Sequence, residues 1–231
     1  MQPKTIITFG AYDWCVLDVE YDRALILTEK VIEKREYNAP FPGSPCVTWE
    51  TCTLREYLNG EFFNRFNDEE KARINSVTRE NPGNPFYWAG QNGGNHTQDN
   101  IFLLNVKEVV RYFGDSGQME AGHGHMAFTL LGSDTEPAGK MLCGCESCSQ
   151  TSLRFSNFIS DQFNNARIAG METEENRPFP YSKHKRMAWT LSNPGYDNGY
   201  AMLVGSDGVI FYYGTSVTDE VGIRPALWLK F

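Results

Sequence analysis

Trp189-Thr-Leu-Ser-Asn-Pro-Gly195, Tyr200-Ala-Met-Leu-Val204, Asp207-Gly-Val-Ile-Phe211 and Gly222-Ile-Arg-Pro-Ala-Leu-Trp-Leu-Lys-Phe231 close the chain, and their reading decides the fold. Short apolar runs separated by turns rich in Gly, Asn, Asp, Ser and Tyr predict antiparallel strands. A chain end that is itself an apolar strand stays ordered by pairing into a sheet, whereas most ends fray. The turn side chains are small, polar or aromatic, which suits recognition better than bond-making chemistry.

Outward from that run, Thr5–Phe9, Tyr12–Val19 and Arg23–Thr28 read as further strands, with Gly10-Ala11 as a turn. Residues 35–47 carry Pro40, Pro42 and Pro45 and form a connection. Thr51–Phe66 reads as a helix with Thr51 or Thr53 as cap, since Leu54, Tyr57, Leu58, Phe62 and Phe66 follow helical spacing. A short helix is predicted over Asp68–Ile74, a short strand over Ile101–Leu104 and a helix over Val106–Phe113 that ends at Gly114. Phe155–Ile168 reads as helical. The chain is therefore expected to be a single α+β domain over residues 1–231, with an insertion at about 117–160. Its two main helices lie around a twisted, mainly antiparallel sheet with long loops.

Aromatic residues make up 13% of the chain and long helix-forming runs are few, which argues against a helical bundle. A net charge of −8 without a compensating basic face disfavours a nucleic-acid partner. The basic run Lys183-His-Lys-Arg186 reads as a solvated loop. No stretch approaches the length of an apolar membrane span, so no direct membrane insertion is expected. The N-terminus lacks the charged and apolar regions of a signal peptide. Localisation stays open between the cytoplasm and a phage or surface assembly.

Several segments together resemble one bacterial domain family of unknown function. They are Ile7–Gly10, Trp14–Asp18, Thr48–Thr51, Leu54-Arg55, Leu58-Asn59, Phe62, the Gly-Gly-Asn-x-Thr-x-Asp loop at Gly93–Asp99, Ile101–Leu104, and the C-terminal Trp189–Gly195 and Gly222–Leu227. The end of the chain is also similar to the C-type-lectin-like folds of the formylglycine-generating enzyme group, and more narrowly to the variable proteins of diversity-generating retroelements. That resemblance implies a fixed scaffold on which C-terminal side chains vary to bind different ligands, a design in which rigid elements present loop residues. Where relatives carry large side chains, this chain has the small polar Thr190 and Ser192.

On this reading Trp189, Leu191, Gly222, Arg224 and Ala226–Leu229 are scaffold. The expected ligand-binding surface comprises Thr190, Ser192, Asn193, Tyr196, Asp197, Asn198, Tyr200, Phe211, Tyr213 and Thr215. Tyr, Ser, Gly and Asn dominate antibody paratopes because they give contact area and adaptable hydrogen bonds at low entropic cost. The expected partner is a protein or other macromolecule. Arg224 is expected to be buried on a carboxylate or carbonyl partner, Asp99 to brace its loop by hydrogen bonds, and Trp14, Trp49, Trp189 and Trp228 to be core.

Enzyme readings are weaker, and no catalytic residue is assigned. Formylglycine-generating enzymes use cysteines near their C-terminal region, and this chain has none after Cys148. A divergent or inactive relative of those enzymes is the alternative function, and a structural module of a phage or surface assembly is a third. The cluster Cys143-Gly-Cys-Glu-Ser-Cys148 with His123 and His125 offers ligands for a structural zinc. The expected set is Cys143, Cys145, Cys148 and one of the two histidines, because zinc takes four ligands tetrahedrally. Metal analysis of the purified protein should then find about one equivalent of zinc, and under about 0.2 equivalents would remove the assignment.

Overall fold

The last strand lies inside a sheet. The computed structural model describes residues 4–40, 46–87, 92–117, 158–170 and 188–231. The readings placed on residues 118–157 and on Lys183–Arg186 fall outside them. A five-stranded sheet runs in the order β1 (Ile6–Phe9), β2 (Tyr12–Glu20), β3 (Arg23–Thr28), β13 (Ala226–Lys230) and β5 (Ile74–Asn75). Pairing with β3 sets Ala226 opposite Leu27 and Trp228 opposite Leu25. Burial of Leu25, Leu27, Ala226, Leu227 and Leu229 supplies the hydrophobic reason for that pairing.

The second sheet has six strands, in the order β4 (Glu33–Glu36), β12 (Glu220–Ile223), β9 (Trp189–Pro194), β10 (Tyr200–Val204), β11 (Ile210–Ser216) and β8 (Phe158–Ile159). Its neighbours are antiparallel except β12 and β9, which run parallel where Gly222 meets Trp189. A small hairpin-like pair joins β6 (Val77–Arg79) to β7 (Thr97–Asp99).

Between β12 and β13 the chain crosses from one sheet to the other through Arg224 and Pro225. Arg224 Nε donates to the Thr28 carbonyl at 2.6 Å and Nη2 to the Glu29 carbonyl at 2.9 Å. The guanidinium lies beside the rings of Trp189 and Phe113, at 5.2 and 5.6 Å from their centroids. Burial lowers its pKa to about 10, which still leaves it charged at neutral pH. The anchoring role and the carbonyl partners match the sequence expectation. Trp14, Trp49, Trp189 and Trp228 are likewise all buried.

The helices depart from the expectation in one informative place. Thr51–Phe66 is not one α-helix but α1 (Thr53–Tyr57), a π-helical turn over Leu58–Phe62 and a 3-10 turn over Phe63–Arg65. Asn59 interrupts it: its Nδ2 donates to the Arg55 and Ile101 carbonyls, and its Oδ1 accepts from the Asn100 and Ile101 N–H groups. An Asn that serves a neighbouring segment competes with the regular backbone ladder, and Gly60 follows it. Cys52 occupies the N-cap without a capping bond, its Sγ donating to the Trp49 carbonyl, while Thr51 Oγ1 accepts from Thr48 N–H.

Helices α2 (Asp68–Arg73) and α3 (Val106–Phe113) form near the expected positions, and each opens on a capping box, Asn67 with Glu70 and Asn105 with Glu108. Ile101–Leu104 is buried but makes only a bridge from Phe102 to Ala226, because its other backbone groups serve Asn59 and Ser192. In place of the helix expected over Phe155–Ile168, the described part holds β8 and the short α4 (Asn164–Arg167). Among the described residues no helix is long and apolar enough to cross a membrane.

Asp99 holds the β7 loop to the helix layer. Its fully buried carboxylate accepts from Trp49 Nε1 at 2.8 Å, Thr97 Oγ1 at 2.8 Å and Arg55 Nε at 2.6 Å. Glu50 extends the brace by accepting from the Asn95 N–H at 3.0 Å and from its amide. Removing Asp99 strands three donors together, one of them a cation. Asp99→Ala is expected to lower the unfolding free energy by about 3 kcal/mol in urea titrations, at the lower end for breaking a buried ion pair because Arg55 keeps some access to water.

Candidate functional site

The tyrosine-rich turns form at the end of the six-stranded sheet where β9, β10 and β11 meet. The Tyr196–Gly199 turn is closed by Gly195 N–H donating to Tyr200 O at 2.7 Å and Tyr200 N–H donating to Asp197 O at 3.1 Å. Asp197 Oδ1 accepts from Gly199 N–H at 2.7 Å, and Tyr196 N–H donates across to Tyr213 O at 2.7 Å. The approach of the strands requires glycine twice. A Cβ on Gly195 would lie 2.2 Å from the Tyr213 carbonyl oxygen, and Gly214 has φ +83° with the Ala201 carbonyl where its Cβ would go. This close contact coincides with a register shift between Ala201 and Leu203.

Two buried or half-buried amides lock the turn from outside the sheet. Asn84 Nδ2 donates to both Gly195 O and Tyr212 O at 2.8 Å, while its Oδ1 accepts from Phe86 N–H. Asn198 Nδ2 donates to Val47 O at 3.0 Å and Asn92 O at 2.9 Å. Each amide ties two carbonyls from separate segments, which fixes the turn as a rigid platform.

On that platform the aromatic rings pack as a set. Tyr196 stacks on Tyr213 at 5.1 Å, Tyr200 meets Tyr213 edge-on at 5.4 Å, and Tyr87 meets Tyr196 edge-on at 5.4 Å. Phe86 stacks on Tyr212 at 4.3 Å behind them. Tyr196 is 47% exposed, Asp197 is exposed, and Tyr200 and Tyr213 are half-buried. Such pairs prefer offset and edge geometries and stiffen one another. Tyr87, Phe86 and Asn84 were not among the residues singled out from sequence. Their only signal is the aromatic run Phe86-Tyr87-Trp88 directly after Asn84-Pro85.

Burial raises the pKa of the Tyr87, Tyr212 and Tyr213 phenols, and neighbouring phenols add to the effect at Tyr87 and Tyr213. They remain neutral at physiological pH and can both donate and accept. The Tyr87 hydroxyl is buried and has no hydrogen-bond partner among the described residues. The surface can therefore stack on a flat or apolar group and bond polar groups at its rim. Cys52, the buried thiol nearest the helix layer, is pushed up to about 12 by burial, which makes it a poor nucleophile.

The structure divides the residues expected to face a ligand. Tyr196, Asp197, Asn198, Tyr200 and Tyr213 come together here. Thr190, Ser192 and Asn193 do not reach the surface: they are 3%, 7% and 1% exposed, and this corrects their assignment as contact residues. The reason is that β9 lies in the interior of the sheet, between β12 and β10, and all six of its residues are buried. Thr190 Oγ1 donates to Met202 O, and the Ser192 carbonyl accepts from Tyr37 Oη. Asn193 Oδ1 accepts from the first N–H of α3, on Val106, while its Nδ2 donates to the Pro82 and Gly83 carbonyls. The Thr190 hydroxyl thus braces β9 against β10, while the Asn193 amide joins the sheet to α3 and the 82–83 loop.

Phe211 packs away from the tyrosines, against Phe158 and the small cluster of Ala188, Leu203 and Val221. Thr215 is half-buried and donates to Asp219. His123, His125, Cys143, Cys145 and Cys148 lie outside the described residues. Among the described residues no group of three or more His, Cys, Asp and Glu side chains is placed to hold a metal, and Cys15, Cys46 and Cys52 are free.

The raised phenol pKa values have a sign. A group that holds its proton more tightly when folded contributes stability that is full below its unfolded pKa, near 10, and is lost as pH rises through the folded value. Tyrosinate absorbance is expected to show a titrating fraction at about pH 10 and a second fraction that ionises only with unfolding at higher pH. Ionisation of every tyrosine near pH 10, with the fold intact, would contradict the packing described for Tyr87 and Tyr212.

No curated protein matches the chain, and no solved structure matches it. A family model described as "Domain of unknown function (DUF6273)" matches residues 21–231, nearly the whole chain. The chain belongs to the DUF6273 family.

Proposed function

We propose that this protein is a ligand-binding module with a C-type-lectin-like scaffold, and that it engages a protein or other macromolecular target through the tyrosine platform. The contact residues on this reading are Tyr196, Asp197, Asn198, Tyr200 and Tyr213, with Tyr87 beneath them. The observation that carries it is the combination of an exposed Tyr196, stacked on Tyr213, with a turn backbone held by Asn84 and Asn198. Rigid aromatic side chains lose little conformational entropy on binding, so a preorganised platform converts contact area into affinity efficiently. Mixed α+β architecture with mainly antiparallel sheets supports the scaffold reading. The similarity to retroelement variable proteins extends the proposal to sequence variation on this surface. With β9 buried, that variation would fall on the 196–200 turn and β11 and leave Thr190, Ser192 and Asn193 alone.

Two measurements test this. On arrays of purified proteins and glycans, wild type is expected to give signals that fall about tenfold or more in the Tyr196→Ala/Tyr213→Ala variant at unchanged melting temperature. An array without signals, or signals indifferent to the double substitution, would overturn the binding surface. Variation is tested separately in the genome: a near-duplicate of the coding segment for residues 196–216, beside a reverse-transcriptase gene and differing at adenines, is expected. Its absence removes variation and leaves binding standing.

A further inference from the structure

The edge of the six-stranded sheet furthest from β8 is β4, the fully charged Glu33-Lys-Arg-Glu36. Its backbone polarity follows from its neighbour. Gly222 N–H donates to Ala188 O, toward β9, so the alternate residues Val221 and Ile223 turn their backbone groups toward β4. Their opposite numbers in the ladder are Arg35 and Glu33, and the Ile223 carbonyl also accepts from the Ile32 N–H. Lys34 and Glu36 then direct their N–H and C=O groups outward, along an edge that no other described strand covers. A groove of about 520 Å³ is lined by this edge together with Thr53, Leu54 and Tyr57.

The side chains on this edge are unevenly satisfied. On one face, Glu33 and Arg35 are fully engaged: Arg35 Nε lies 3.3 Å from Glu33 and its guanidinium sits 3.4 Å over the Tyr57 ring, whose hydroxyl donates to Glu33. On the other face, Lys34 and Glu36 form no salt bridge among the described residues. Glu36 moreover stands directly opposite Glu220 in the ladder. Like charges directly opposite across two strands are destabilising. The edge therefore presents an uncompensated acidic pair beside an unpaired lysine.

An antiparallel strand arriving at this edge would set residues directly opposite Lys34 and Glu36, since those two carry the outward backbone groups. It should offer a cation opposite Glu36 and, two residues on, an acid opposite Lys34. Read from N to C, that requirement is basic–x–acidic, which is the pattern Lys34-Arg-Glu36 itself supplies. The edge is complementary to itself. We propose that β4 pairs antiparallel with β4 of a second copy about a twofold axis and joins the two six-stranded sheets into one.

In this register Lys34 faces Glu36 of the partner subunit twice, by symmetry, and each pair exchanges both of its N–H···O bonds. Each incoming lysine also relieves the Glu36–Glu220 repulsion. The two Arg35 side chains meet at the axis, each already neutralised by its own Glu33. The contact is small compared with stable interfaces of ~1,200–2,000 Å². The dimer is therefore reversible, with a dissociation constant on the order of 10–100 µM, and more salt-sensitive than a buried apolar interface.

Sedimentation equilibrium on the full chain tests the pairing. Wild type is expected to dimerise over that concentration range. Lys34→Glu and Glu36→Lys, folded by circular dichroism, should each be monomeric, because each sets like charges opposite one another. The double variant K34E/E36K restores opposite charges and should dimerise again. An equal mixture of the two single variants should form a heterodimer, because one copy then presents two acids and the other two cations. A monomeric wild type, single variants that dimerise as wild type does, or a mixture that stays monomeric would each overturn the proposal.

Discussion

Arg224 is the point on which both sheets depend. It leaves β12 of one sheet and, with Pro225, hands the chain to β13 in the middle of the other. Its guanidinium bonds the Thr28 and Glu29 carbonyls just past β3, the strand that β13 pairs with. A buried cation is costly unless its donors are met, so the position of the 28–29 turn is coupled to the crossover. Proline at 225 removes a donor there, and Thr28 N–H returns a bond to the Pro225 carbonyl. The N-terminal strands, the helix α3 ring Phe113 and the sheet ring Trp189 therefore all converge on one side chain.

The tyrosine platform inherits its rigidity from the same sheet. Its turn follows directly on β9, a strand buried along its whole length, and is tied outward by the amides of residues 84 and 198. The buried polar residues of β9 share this work. Asn193 connects the first turn of α3 to the 82–83 loop, which leads directly to Asn84 and the Phe86-Tyr87 pair. A residue set that looks like recognition chemistry in the sequence thus divides into two functions: side chains that are displayed, and side chains that hold the display in place.

Charge is distributed with the same economy. The interior ion pairs are Arg55 with Asp99 and Arg167 with Asp161; both carboxylates accept further hydrogen bonds, while Arg167 Nε has no partner among the described residues. At β4, where the sheet ends, Lys34 and Glu36 have no ion-pair partner among the described residues. Charged edge strands usually prevent pairing with other chains. Here the order of the charges permits one partner, because the same order read antiparallel is its own complement.

Local patterns in the sequence determined the strand Arg23–Thr28, the helix Val106–Phe113 and its stop at Gly114, because alternation, helical spacing and capping act within a few residues. They marked Gly222–Phe231 as one closing strand, which the structure divides at Arg224-Pro225 between two sheets. They also marked Arg224 and Asp99 as anchors, since a charge set among apolar residues must find a buried partner. Tertiary structure alone decided which sheet position β9 takes, and with it that Thr190, Ser192 and Asn193 face inward. No local pattern distinguishes a small polar side chain on a surface strand from one satisfied inside a sheet. Tertiary structure also brought Phe86 and Tyr87 to the C-terminal tyrosines, across more than a hundred residues of chain, and let Asn59 break the helix from Thr51 by serving carbonyls and amides forty residues away. These are long-range contacts, and the residues that make them carry no short-range signature of their partners.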